Sequence, residues 1–202
     1  MNDAHESTQA AIRNAALHLF STVGFSGTGI RLIAQEAGVS LATLYHYMSN
    51  KEDLLVGMVT ENIVTLLRDA ELALLEVAKP VDQLAALVEV HVRIHTEQRL
   101  LCIVSDTEIR SLSEEQKQKV VGYRDQYEAI WRRTIQAGRS AEDFQVKNVA
   151  VAARALIEMC TGVAHWYRPE GPIELAELVD LYTDLCANAL RAQKTRRRRE
   201  QR

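Results

Sequence analysis

An all-α fold of about nine helices is what this chain predicts, on three observations. Glycine and proline, nine and three in 202 residues, are too scarce to punctuate a protein of many short strands. Runs of β-branched residues are few. Apolar residues instead recur three and four positions apart through almost the whole chain, the spacing of a buried helix face. With 47% hydrophobic and 25% charged residues, the composition is that of a soluble globular protein with enough apolar side chains for a real core.

The first helix spans Ser7 to about Val23, carries Ile12, Ala15, Ala16, Leu19, Phe20 and Val23 in one stripe, and ends at Gly24. Two short helices follow between Gly29 and Lys51, joined by a tight turn. Ile30, Ile33, Ala34 and Ala37 make the inner face of the first, with Thr28 placed to cap it and Gly38 where a helix closes on a left-handed residue. Val39 turns back to the core and Ser40 caps the second, Leu41 to about Met48. Leu44 is its inward residue, which leaves Ala42, Thr43, Tyr45, His46 and Tyr47 around its other sides. Ser49-Asn50-Lys51-Glu52 reads as a capping box for a long helix reaching about Val77, lined inside by Leu54, Leu55, Met58, Val59, Ile63, Leu66 and Leu67. A helix, a glycine turn and a short polar-aromatic helix form a helix-turn-helix, which lays its second helix in a DNA major groove.

The residues Ile33-Ala34, Ala37-Gly38-Val39-Ser40, Thr43-Leu44-Tyr45, Tyr47, Lys51 and Leu54-Leu55 together resemble the DNA-binding domain of TetR/AcrR-type transcriptional repressors. Gly24 to Thr28 matches that family's loop after its first helix. The resemblance implies phosphate contacts from Thr28, Thr43, Tyr45, Tyr47 and Lys51, and base-edge contacts from Arg31, Leu41, Ala42 and His46. Arg31 can reach a guanine O6/N7 pair, whereas Leu41 and Ala42 offer only apolar contact to a thymine methyl. Residues 1–48 are then the DNA-binding domain. A two-fold dimer would present its recognition helices about 34–36 Å apart, or a multiple, to a palindromic operator.

Lys79-Pro80 breaks the long helix, and a helix of about Val81 to Glu97 follows with the stripe Leu84, Leu87, Val88, His91 and His95. Two histidines four apart suit a core or pocket wall better than a metal pair, and neither metal nor cofactor is expected. After a short apolar helix, Leu100 to about Ile109, the next ends at Gly138 and sets Val120, Arg124, Tyr127, Trp131 and Ile135 near one face. Arg124 there either pairs with an acid such as Glu128 or meets an anionic ligand. The helix of about Val146 to Trp166 is rich in small residues, which permit close helix approach, and Arg154 and Glu158 pair along it. The last helix, about Ile173 to Ala192, has an apolar stripe wide enough for its own domain and a partner.

With the first 48 residues resembling the DNA-binding domain of the TetR/AcrR family, residues 49–192 are read as its ligand-binding and dimerisation domain. The last two helices should form a four-helix bundle with their symmetry mates through Ala153, Cys160, Leu178, Tyr182, Leu185 and Ala189. His91, His95, Arg124, Tyr127, Trp131, Met159 and Trp166 should line the effector site, with Arg154, Arg168 and the terminal arginines as further cations. Tyr123 to Gly138, Phe144 and His165 to Ile173 resemble the ligand-binding domain of the family branch that controls fatty-acid and steroid catabolism, which implies an acyl-CoA thioester as effector.

Net charge is −3, but the last twelve residues hold seven Lys/Arg and one Glu, which leaves the first 190 near −9. Residues 1–60 carry only Arg13, Arg31 and Lys51 against five acids, so non-specific DNA affinity should be modest. The basic stretch 193–202 is expected to be disordered, with a DNA phosphate contact as its other reading. Cys102, Cys160 and Cys186 are odd in number and widely spaced, reduced core residues rather than disulfides or a zinc site. With no signal peptide and no membrane span, a cytoplasmic location is expected. P-loop, GxSxG, HExxH and GxGxxG patterns are missing, so an enzyme is not expected. The alternatives are a constitutive dimeric DNA-binding protein without effector and an α-helical enzyme.

Overall fold

A computed structural model describes residues 2–191, and the side chains of 7–190. Among these residues there is no strand. The helices are α1 (Asn2–Thr22), α2 (Ile30–Glu36), α3 (Leu41–Tyr47), α4 (Lys51–Leu74), α5 (Pro80–Glu97), α6 (Arg99–Thr107), a 3-10 turn (Ile109–Ser111), α7 (Glu114–Ser140), α8 (Val149–Thr161), α9 (Val163–Trp166) and α10 (Leu175–Arg191). The basic stretch 193–202 lies outside the described residues. None of the described helices is long and apolar enough to cross a membrane.

The chain folds as two compact units. One takes the chain up to Ile63 together with Leu100–Val121; the other takes Val64–Arg99 and the chain from Gly122 onward. The first unit holds the helix-turn-helix on one apolar core: Ile12, Ala16, Leu19 and Phe20 of α1, Ile33 of α2, Leu44 of α3, and Leu55, Met58 and Val59 of α4. Leu101, Val104, Leu112 and Val120 fill the same core, so α6 and the start of α7 belong to the head. Arg13 pairs with Glu61 at 2.8 Å, and His18 with Glu36 at 3.1 Å, fastening α4 and α2 to α1.

Two end signals and one inward residue fall where the sequence puts them. Gly38 is left-handed at φ +67° after α2, Ser40 Oγ accepts the Thr43 N–H at 3.0 Å to cap α3, and Leu44 is fully buried. The box at the start of α4 is shifted by one residue. Asn50 Oδ1 accepts the Asp53 N–H at 2.7 Å and Asn50 Nδ2 donates to Asp53 at 2.9 Å, so Asn50 and Asp53, not Ser49 and Glu52, close it.

In the second unit α5 packs against α8, α9 and α10, burying Leu84, Leu87, Val88 and Val92 with Leu156, Leu178 and Cys186. Two boundaries there differ from the sequence reading. α7 runs through Gly138 to Ser140. The chain then folds back over it, and a Cβ on Gly138 would lie 2.1 Å from Phe144 Cδ2. That glycine admits a ring rather than ending a helix, since only a residue without a side chain lets Phe144 so close. The helix expected over 146–166 is instead two, α8 capped by Asn148 and α9, parted at Gly162.

Candidate DNA interface and effector site

α3 turns one side chain inward and its polar and aromatic residues outward. Leu41, Ala42, Tyr45 and His46 are exposed, as is Arg31 on α2, while Thr43 and Tyr47 are half-buried. The His46 and Tyr47 rings meet edge-on at 5.4 Å, and the Thr43 hydroxyl lies 2.8 Å from Ser40 Oγ. Such a surface offers hydroxyl donors, aromatic edges and one guanidinium to a duplex without a basic patch.

Two residues expected at phosphates do other work. Thr28 is buried, and its hydroxyl donates to the Gly24 carbonyl at 2.8 Å. Its expected phosphate contact and capping role are both corrected: the α2 cap position is Gly29, without a side-chain bond. Lys51 Nζ donates to the carbonyls of Phe25 at 2.9 Å and Thr28 at 3.0 Å, and lies 4.3 Å from the Phe25 ring centroid. Two of its three donors and its cation–π contact thus hold the α1–α2 loop.

In the second unit His91, His95, Tyr127 and Trp131 form one buried cluster. The His91 and His95 rings stack at 4.0 Å and 4°, and Trp131 meets His91 edge-on at 6.0 Å. His91 Nδ1 lies 2.9 Å from the Tyr127 hydroxyl and Nε2 lies 3.0 Å from the Thr161 hydroxyl. A neutral imidazole has one donor and one acceptor, so both capacities of His91 are used. His95 Nδ1 donates to the His91 carbonyl at 2.8 Å.

Burial holds His91 well below its usual value, aided by its histidine neighbour. Burial likewise brings His95 to about 4, with Arg124 and His165 adding to the effect and the bond to His91 opposing it. Both rings are neutral at pH 7. Among the described residues no group of three or more His, Cys, Asp or Glu could hold a metal ion.

Other expected site residues scatter. Met159 is half-buried on α8. Trp166 is 48% exposed and stacks on Tyr182 at 6.5 Å. Arg154 donates to Glu128 at 2.9 Å instead of pairing with Glu158, and Arg132 reaches the same carboxylate at 3.6 Å. Arg168 donates to the Tyr167 carbonyl at 2.9 Å.

The sequence reading missed Thr161, whose role appears only when α8 is laid against α5. It also missed a cleft of about 510 Å3 lined by Arg132, Arg133, Gln136, Ala137, Ser140 and Val149. The adjacent arginines were the available signal for it.

The expected dimer residues divide as well. Ala153, Cys160 and Leu178 are buried within the protomer and cannot meet a second copy. Cys160 lies against Cys186 with the two sulfurs 3.9 Å apart. Leu185 is 52% exposed, Ala189 is exposed and Tyr182 half-buried; Leu181, Val151 and Trp166 extend the same outward apolar set.

Two family models match successive parts of the chain. Residues 12–58 match the family model for bacterial regulatory proteins of the tetR family, and residues 77–190 match the model for the tetracyclin repressor-like C-terminal domain. The fatty acid metabolism regulator protein of Bacillus subtilis is 29% identical over 140 residues, 67% of this chain and 72% of that protein. Among solved structures, the TetR family regulator PfmR of Thermus thermophilus superposes with a TM-score of 0.79 at 32% identity, covering 88% of this chain and 97% of that one. AibR, solved with isovaleryl coenzyme A and operator DNA, shares the fold at a TM-score of 0.77 and 20% identity, over 91% and 97% of the two chains. With more than half of its length under the C-terminal model and a helix-turn-helix under the other, the chain belongs to the tetR family, a DNA-binding transcriptional regulator and not an enzyme.

Proposed function

We propose that this regulator is a dimeric repressor, released from a palindromic operator by a small, largely hydrophobic effector, an acyl-CoA thioester, held at the cluster of His91, His95, Tyr127 and Trp131. The observation that carries this reading is the polarity of that cluster. A domain centre that only had to fill space would be apolar, because each buried polar group gives up its hydration. Two neutral histidines, a phenol and an indole buried together are a poor choice for stability and a good one for recognition. It also speaks against a constitutive protein whose C-terminal domain merely dimerises.

The acyl-CoA class draws support from the Bacillus subtilis relative, a fatty acid metabolism regulator, and from AibR, a protein of the same fold found with a CoA thioester. For the phosphate-bearing end, Arg133 in the cleft along α7 is better placed than Arg132 or Arg154, which share Glu128, or than Arg168, which is engaged with the Tyr167 carbonyl. On the DNA side, Arg31, Leu41, Ala42 and His46 face base edges and Thr43, Tyr45 and Tyr47 meet phosphates. Thr28 and Lys51 act one step back, by fixing the loop before α2. Two copies join through the outer faces of α8 and α10.

Three stretches pass from one unit into the other: α4 at Ile63–Val64, the start of α6 at Arg99–Leu100, and α7 at Val121–Gly122. Within the second unit Arg99 Nε donates to the Ala164 carbonyl at 2.7 Å, fixing the chain just before the second of these crossings. These are the routes by which an effector in the second unit acts on the head. Release requires the effector to bind the DNA-incompetent arrangement more tightly than the competent one, since equal affinity shifts nothing.

The test uses the full chain on a fluorescent duplex selected from random DNA, titrated with octanoyl-CoA and with octanoate. Octanoyl-CoA should dissociate the complex, and octanoate should act more weakly for want of phosphate contacts. If neither alters DNA binding, the acyl-CoA effector is wrong.

A further inference from the structure

The Trp131 side chain is fully buried, and its indole Nε1–H has no hydrogen-bond partner. An indole nitrogen can only donate, so what it lacks is an acceptor. The nearest phenol does not supply one. Tyr127 is close enough for the indole N–H to oppose, in part, the upward push of burial on its ionisation, yet no bond of ordinary geometry forms between them. The Tyr127 hydroxyl is instead held 2.9 Å from His91 Nδ1, and the other His91 nitrogen is taken by Thr161.

The two polar rings that meet the indole, His91 and Tyr127, are therefore engaged elsewhere. Both ring partners of Trp131, His91 at 6.0 Å and Tyr127 at 6.4 Å, are uncharged at pH 7. The charge of Arg124 acts on His95, behind His91 in the stack. A lone buried donor among neutral groups suits a neutral acceptor, because a carboxylate would lose its hydration there with one hydrogen bond in return. A neutral carbonyl oxygen joined to an apolar chain has that chemistry.

Resting on the acyl-CoA reading above, we infer that Trp131 Nε1–H donates to the carbonyl oxygen of the effector, so that the site selects an acyl thioester over a thioether with the same chain and the same nucleotide end. Trp131 is then the specificity-determining residue for the carbonyl. The apolar chain and the phosphates supply affinity that both ligands share. A site built to donate to a group rejects the analogue that lacks it, since the donor is then left unpaired in a dry interior.

The test measures binding of octanoyl-CoA and of S-octyl-CoA, in which a methylene replaces the carbonyl, to the full-length protein and to Trp131→Phe by calorimetry. Phenylalanine keeps a buried ring and removes the donor. Wild type should bind the thioester about tenfold more tightly than the thioether. Trp131→Phe should bind the two alike. Loss of packing in the variant lowers both affinities together and leaves their ratio readable. Equal binding by wild type, or a preference that survives in Trp131→Phe, overturns the inference while thioester-driven release from DNA keeps the functional reading. If neither ligand binds wild type, both fall.

Discussion

The two units use the same residue types in opposite ways. In the head, Tyr45 and His46 stand exposed on α3 above a core of Leu44, Ile33 and Phe20. In the second unit, Tyr127 and His91 are buried, while Leu181, Leu185, Val151 and Trp166 face outward. The first arrangement is what burial of apolar area dictates, with function confined to the surface. The second departs from it twice, and on the proposed function the two departures serve an effector inside and a second copy outside.

The outward apolar face gives the largest expected effect. Leu185 is 52% exposed, so Leu185→Glu leaves the protomer folded. Sedimentation should show monomers in place of dimers. Operator affinity should fall about 100-fold or more, because two linked heads bind through effective concentration and one does not. A dimeric Leu185→Glu protein would remove α10 from the interface.

The inward polar cluster should make stability depend on pH. An unfolded histidine titrates near 6.5 and folded His95 near 4, so between those values the unfolded chain binds more protons. The stability linked to keeping His95 neutral is present in full above pH 6.5 and is lost as pH falls towards 4, about 3 kcal/mol for this residue. His91, depressed for the same reason, adds in the same direction. Urea midpoints at pH 7 and pH 4.5 should differ less in His95→Gln than in wild type; an equal difference would mean that other groups carry the acid sensitivity.

A smaller effect separates the exposed face of the head from its support. Arg31→Ala should cost about 1–3 kcal/mol on the operator and relax base preference. Lys51→Ala loses two bonds to the Phe25 and Thr28 carbonyls and should weaken operator and random duplexes alike, with a measurable loss of stability. Anisotropy on both duplexes distinguishes the two. Equal losses on both for Arg31→Ala would take it off the base edges.

Local signals in the sequence were legible because the physics behind them is local. Gly38, Ser40 and Leu44 act within one turn of their own position, and the sequence places all three. Lys51 and Cys160 were misread because partners far along the chain decide their roles, Thr28 and Gly138 because the adjoining loop folds back, setting the Gly24 carbonyl against one and the Phe144 ring against the other. Lys51 binds a carbonyl 26 residues away, and Cys160 meets Cys186 26 residues on. The stripe of His91, His95, Tyr127 and Trp131 was readable as two helix faces; its closure through Thr161, 70 residues from His91, was not. Helical periodicity tells which face turns inward, but not whether a residue on that face ends inside its own protomer or against a neighbour.

The central claim is that the buried polar cluster exists for the effector and not for the fold. The triple variant His91→Leu, Tyr127→Phe, Thr161→Val removes the hydrogen-bonded chain together, leaving none of its partners stranded. One denaturation curve and one operator titration with octanoyl-CoA on this variant test the claim most directly. It should be at least as stable as wild type at pH 7, bind operator equally well, and no longer release it when the thioester is added. A variant that loses several kcal/mol of stability, or that still lets go of the operator as wild type does, would contradict the account.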